Sequence, residues 1–382
     1  MIERKKLGKI ATFDYGYTAS ASSKGTHRLI RITDINADGK LKSDSQMYVD
    51  YPNFNDGVNL RKGDILIART GGTFGKSMIF SEEYPALFAS FLIRINFNIR
   101  MDPTFFWLYA QSDMYWKQAN KLVKGGTQPQ FNANSLALLS VPVTDYDHQR
   151  EIVSRLTPKI EAIAKLTEKT ERQLQDVANL ASYINKQTIE FDGEKQPISK
   201  YCSEDKRIIQ PESEETKTLK YLGMENVDKD TRAYNASTDI LMSGKSTTYY
   251  FDESHVLYGK LRPYLKKVFL PELAGRCSTE LIPLLPADAM EREYLALLLT
   301  DDDLVSYIMS ESTGARMPRT DMKKLLAYKV AVPDIEEQGT RLKARNEQMK
   351  KCTILIETLR KQQKNIAALR ACIFKDAFGN EE

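Results

Sequence analysis

Between Pro158 and Phe191 the chain carries a seam at Ile160, Ile163, Thr167, Thr170, Leu174, Val177, Ala181, Ile184, Thr188 and Phe191. The steps alternate three and four, the heptad period that keeps one face of a helix against a partner helix. The residues between are mostly Glu, Lys, Gln and Asn, so the pattern predicts one buried stripe with wet flanks. Thr157 and Pro158 suit an N-cap and a first helical residue. At about 1.5 Å per residue such a rod spans roughly 50 Å. The same register returns 189 residues later, at Met349, Cys352, Ile356, Leu359, Gln363, Ile366, Arg370 and Ile373. Two rods in one register, separated by a compact segment, predict an intramolecular antiparallel coiled coil. The plainer alternative is two amphipathic helices, each packed on its own domain.

The rest of the pattern also repeats. Leu29 to Ile35 alternates as a strand would, Asp64 to Arg69 is a buried strand after a turn, and Leu87 to Ile95 is another apolar run. Pro103 to Lys121 reads as a helix, and a polar, Gly-rich loop from Lys124 to Asn132 follows. Leu138 to Val143, a strand, then leads to Gln149-Arg150-Glu151-Ile152-Val153 and the rod. The second half replays this order with Leu219 to Val227, His255 to Lys260 at an offset of 191, Leu281 to Leu285, and Tyr294 to Met309. From the polar loop onward the offset is 189: Gly125 answers Gly314, Pro129 answers Pro318, Gln149 answers Gln338. The expected organisation is mixed α/β (α+β) in two copies, each followed by a long helix. The expected bounds are residues 1–145, a spacer over 146–192, a second domain over 193–335 and a second spacer over 336–378.

Composition narrows the function. No apolar run approaches a membrane span, and Met1 to Lys6 has no secretory character. The four cysteines are scattered without a CxxC pair, which predicts free thiols and a cytoplasmic location. Three histidines far apart predict no metal site. Residues 1–145 hold 18 Lys and Arg against 13 Asp and Glu, so the first domain is basic, as suits a polyanionic partner.

Catalytic motifs are missing. Gly71 to Ser77 imitates a phosphate loop, but Thr70 stands where the first glycine would have to be, and strand-like Met78-Ile79-Phe80 follows instead of a helix. There is no dinucleotide fingerprint, no Gly-x-Ser-x-Gly elbow and no Asn/Asp-Pro-Pro-aromatic stretch. Asp334 lacks a following Glu-x-Lys. The expectation is a chain that catalyses nothing and binds no cofactor.

What remains are loops of phosphate- and base-bonding side chains. In the first half these are Arg69, Thr70 and Lys76, with Lys124, Thr127, Gln128, Gln130 and Asn132. In the second half they are Lys260 and Arg262, with Arg316 and Arg319. Singly, each reads as a solvated turn. At equivalent places in both halves they point to nucleic acid. Gln suits adenine and Arg suits guanine, so Thr127 and Gln130 against Arg316 and Arg319 predict unlike half-sites, with guanine contacts concentrated in the second.

This architecture resembles the specificity subunit of type I restriction-modification systems. The residues that carry the resemblance are Lys62 to Leu66, Thr70-Gly71, the Gly125–Asn132 loop, Leu138 to Pro142 and Gln149 to Val153. The second copy is looser, with His255 in place of Asp64. The resemblance implies two target-recognition domains, each reading half of a split site in double-stranded DNA. It implies paired helical spacers that dock two methyltransferase subunits carrying S-adenosylmethionine. Restriction subunits using ATP and magnesium would complete a nuclease. The rival expectation is a coiled-coil scaffold that binds only proteins.

Overall fold

A computed structural model describes residues 2–36, 39–42, 46–51, 57–123, 129–226, 246–312 and 317–379. They form two compact units, residues 1–173 with 359–382, and residues 174–358.

In the first unit a four-stranded antiparallel sheet has the order β2 (Ala11–Tyr15), β8 (Leu92–Phe97), β5 (Ile65–Ala68), β6 (Ser77–Ile79). A second sheet joins β4 (Tyr48–Val49), β3 (His27–Ile30) and β7 (Ala86–Phe88), the last pair being parallel. β1 (Glu3–Lys6) and β9 (Ser140–Val143) form an antiparallel ribbon. Strands β5 and β7 are buried along their whole length and contain no charged residue, the pattern of strands covered on both faces.

Helices α1 (Pro103–Tyr109), α2 (Asp113–Leu122) and α3 (Ala133–Ala137) follow. The single helix expected over Pro103–Lys121 is thus two. Ser112 breaks it, its hydroxyl capping α2 by accepting from the Tyr115 N–H at 3.3 Å. The strand expected over Leu29–Ile35 likewise stops at Ile30 and gives way to a short 3-10 turn, Ile32–Asp34.

The second unit repeats the plan. Its ribbon pairs β10 (Lys195–Pro197) with β19 (Lys329–Ala331). Its main sheet has the order β11 (Cys202–Glu204), β18 (Leu281–Pro286), β15 (Val256–Gly259), β16 (Val268–Phe269). Its second sheet has the order β12 (Ile208–Ile209), β14 (Thr248–Phe251), β17 (Gly275–Ser278), β13 (Lys220–Leu222), and β13–β17 is again parallel. Helix α5 (Glu215–Thr218) precedes β13, and α6 (Arg292–Leu298), α7 (Asp302–Glu311) and α8 (Met322–Ala327) answer α1 to α3. Asp301 caps α7 and divides the helix expected over Tyr294–Met309.

The long helices are α4 (Tyr146–Ile189) and α9 (Ile335–Phe378). Every seam residue is buried or half-buried, while most of the positions between are exposed. In the first unit the start of α4 packs beside the end of α9, with Ile152, Leu156 and Ile160 sharing a core with Phe374, Ala377 and Phe378. In the second unit the end of α4 packs beside the start of α9. There Arg345 Nε donates to Asn185 Oδ1 at 2.9 Å and Arg341 to the Glu190 carbonyl at 2.7 Å. This is the antiparallel coiled coil.

The expected start of the first long helix also fails. Pro158 lies inside α4, and Thr157 is no cap. Asp145 caps instead, accepting from the His148 N–H at 2.9 Å, as Asp334 accepts from the Glu337 N–H at 2.9 Å before α9. Burial of Ile152 and Leu156 carries the helix past the proline. The missing N–H costs little there, because Ser154 and Pro158 face solvent and water can serve the freed carbonyl.

Beside each cap, a fully buried glutamine ties the long helix to its domain. Gln149 donates to the Thr144 carbonyl (2.8 Å) and accepts from the Asp102 N–H (2.8 Å). Gln338 donates to the Pro333 carbonyl (2.8 Å) and accepts from the Glu291 N–H (2.8 Å). Each partner of Gln149 lies 189 residues before the matching partner of Gln338.

Candidate nucleic-acid interface

In each unit the two loops singled out in the sequence meet. Thr70 and Gln130 form an antiparallel bridge, and so do Leu261 and Arg319. In the first unit the Gly71 N–H donates to the Pro129 carbonyl (3.1 Å) and the Phe131 N–H to the Arg69 carbonyl (2.7 Å). In the second, the Arg262 N–H donates to the Pro318 carbonyl (2.8 Å) and the Thr320 N–H to the Lys260 carbonyl (2.8 Å). Backbone bonds rather than side chains weld the loops, which leaves their side chains to face outward. Gln130, Arg262 and Arg319 are all exposed.

The first loop of each weld takes left-handed backbone at two points. Gly71 takes φ +67° and Gly75 φ +75°, which glycine adopts freely. At the equivalent points the second unit has Arg262 at φ 55° and Lys266 at φ 49°. A side chain in that region costs on the order of 1 kcal/mol. The surrounding bonds hold it there: Leu265 N–H donates to the Arg262 carbonyl at 2.9 Å, and the Lys266 ammonium reaches Asp302 at 2.5 Å.

The remaining predicted residues divide. Arg69 lies at the weld with its guanidinium over the rings of Tyr15 and of Phe91. Arg319 does not project freely: it pairs with Glu280 at 3.3 Å. Asn132 Oδ1 accepts from the Ser135 N–H at 3.1 Å and so caps α3. Lys76 lines a hollow of about 70 Å³ with Trp116 and Arg370. Lys124, Thr127, Gln128 and Arg316 fall outside the described residues. Tyr15, Phe91 and Glu280 were not picked out by the sequence pattern. Phe91 and Glu280 are 189 apart, a spacing that marks the position as variable between the repeats.

Among the described residues no cluster could hold a metal ion, and no helix is long and apolar enough to cross a membrane.

Residues 2–176 match the family described as type I restriction modification DNA specificity domain. No curated protein sequence matches the chain significantly. One solved chain, from a structure concerned with complex assembly and conformational transition of the type I R-M system, is 15% identical with a TM-score of 0.71. That likeness covers 99% of this chain and 97% of the other. The HsdS subunit from Thermoanaerobacter tengcongensis is also 15% identical, with a TM-score of 0.50, covering 100% of this chain and 97% of its own. Residues 2–176 are thus similar in sequence to the type I restriction-modification DNA specificity domain, and the whole chain is similar in fold to the two solved chains.

Proposed function

We propose that this chain is the sequence-reading subunit of a type I restriction-modification complex and that it reads a split, asymmetric target. The observation that carries the reading is the equivalent weld in each unit, Thr70 to Gln130 and Leu261 to Arg319. Two copies of one loop platform bearing different side chains suit a two-part site with unlike halves. The chain itself is non-catalytic. Methylation of adenine is the work of two methyltransferase subunits with S-adenosylmethionine. Cleavage, where restriction subunits join, uses their ATP and magnesium.

The helices supply the docking surface. Leu166 and Leu180 are 42% and 48% exposed, and Leu355 and Leu369, 189 residues on, are 45% and 51% exposed. An apolar position repeated in both helices but outside the seam favours two copies of one partner. Sequencing of methylated bases in a host with and without this gene tests the function. The expected result is gene-dependent adenine methylation at a bipartite site with unlike halves. An unchanged methylome, or a site with identical halves, overturns it.

A further inference from the structure

We propose that Arg69 reads guanine for the first domain and that Tyr15 and Phe91 are its positioning clamp, an inference that rests on the DNA-reading function above. The guanidinium carbon lies 5.1 Å from the centroid of the Tyr15 ring and 5.7 Å from that of Phe91. Packing against aromatic faces restrains the plane of a delocalised guanidinium. Its Nε is buried without an acceptor, so the two terminal nitrogens are the end that can meet a ligand. Among the described residues no carboxylate or carbonyl takes that end. A planar fork with two parallel donors matches the paired N7 and O6 acceptors of guanine in the major groove.

A phosphate could accept the same fork, and the surroundings decide between them. Tyr15 and Phe91 are 44% and 49% exposed and present apolar ring beside the guanidinium. Such flanks fit base edges and sugars, whereas phosphate oxygens favour hydrated, cationic neighbours. The clamp is also tied to the weld, because the Tyr15 hydroxyl accepts from the Ala133 N–H at 3.2 Å, just past the second loop.

Among the described residues the second domain has no such clamp at the equivalent positions. Two residues 191 on from Tyr15 and Arg69 are Lys206 and Lys260, and Glu280 stands in the place of Phe91 and holds Arg319. The clamped arginine is therefore a feature of the first domain, whereas the loop residues alone pointed to Arg316 and Arg319 of the second.

The test is selection of the full-length chain on a library of random DNA duplexes at two salt concentrations. The wild-type chain and the variants Arg69→Ala, Arg69→Lys and Phe91→Leu are compared. The expected result is a guanine preference at one position of one half-site. Arg69→Ala lowers it roughly 5- to 150-fold, and the salt slope stays the same. Arg69→Lys fails to restore the preference, and Phe91→Leu weakens it at that position alone. A uniform loss for all sequences, a salt slope shallower by about one and rescue by lysine would mean a phosphate contact and overturn the proposal. A wild-type chain that selects no sequence overturns the DNA-reading function instead, a result distinct from both.

Discussion

In the first domain the middle of the main sheet carries Arg94, 8% exposed, between Asp14 at 2.7 Å and Asp64 at 3.3 Å. In the second domain the corresponding region carries His255, 2% exposed, between Asp252 at 2.9 Å and Asp205 at 3.3 Å. By the repeat, Asp205 stands for Asp14, His255 for Asp64, and Pro283 for Arg94. The partner of the carboxylates has moved from the central strand β8 to the residue before β15, while the carboxylate in β2 or just after β11 has stayed.

The reach differs as well. Arg94 also donates to the Asn59 carbonyl at 2.9 Å and to that of Gly57, which fastens a loop to the sheet. The bonds of His255 stay with the two carboxylates and Ser254. Against this divergence, the Asp145 and Asp334 caps and the Gln149 and Gln338 clasps are the same in both copies. Attachment of each domain to its helix has been kept, and the internal fastening of the sheet has been reinvented.

The comparison can be broken most directly at the clasps. Gln149→Ala and Gln338→Ala each strand buried backbone groups, so each should destabilise its own unit by about 3 kcal/mol. Both tryptophans, Trp107 and Trp116, lie in the first unit, so fluorescence-detected urea unfolding reports on that unit. Hydrogen exchange of the β15 amides reports on the second. Clearly unequal losses would show that the two clasps are not equivalent.

The next effect concerns the divergent clusters. Arg94→Ala should cost the first unit about 2 kcal/mol, less than a fully buried pair because Asp14 is half exposed. His255→Ala should cost the second unit about 1 kcal/mol, since it fastens no loop. Equal costs by the same two measurements would remove the distinction drawn here.

The smallest effect is in acid. Burial would raise the Asp14 carboxyl, but hydrogen bonds from Arg94 and Asn96, with the charge of Arg94, outweigh it and hold the group below its ordinary 3.8. A depressed carboxylate stabilises the fold above its unfolded pKa, and that contribution is lost as pH falls through the folded value. The first unit should therefore lose a little stability below about pH 4, and Arg94→Ala should flatten that loss. The Asp252 carboxyl is lowered first by the Ser254 hydroxyl, against burial, and less by His255. His255→Ala should accordingly leave most of the second unit's acid loss in place. Acid titration of both variants, followed by fluorescence and exchange, checks this contrast.

Periodicity and repetition were legible along the chain. Three-four spacing from Ile160 to Thr188 is local, and it forces a helix with one face to bury whatever the rest of the chain does. The offsets of 189 and 191 likewise identified equivalent positions before any contact was known, and the welds, caps and clasps fall on them. Local signals failed where longer-range packing outweighed them. Thr157-Pro158 looks like a helix start, yet burial of Ile152 and Leu156 draws the helix back to Tyr146. Ser112 and Asp301 cut helices that composition alone would have run together.

The candidate site was half legible. The sequence named the residue types in the loops, but what each side chain faces depends on strand pairing and on contacts between segments far apart in the chain. Arg69 and Arg319 illustrate this. As sequence they are two loop arginines, and the second, with Arg316, was expected to read guanine. Sheet pairing sets Tyr15 and Phe91 around Arg69 and leaves its fork open, while it sets Glu280 against Arg319 and closes it. The sequence determined the helices, their register and the two-fold plan, because these are written in spacing. Only the tertiary structure decided which basic groups are spent within the protein, because a charge is satisfied by whatever lies within a few ångströms of it in space.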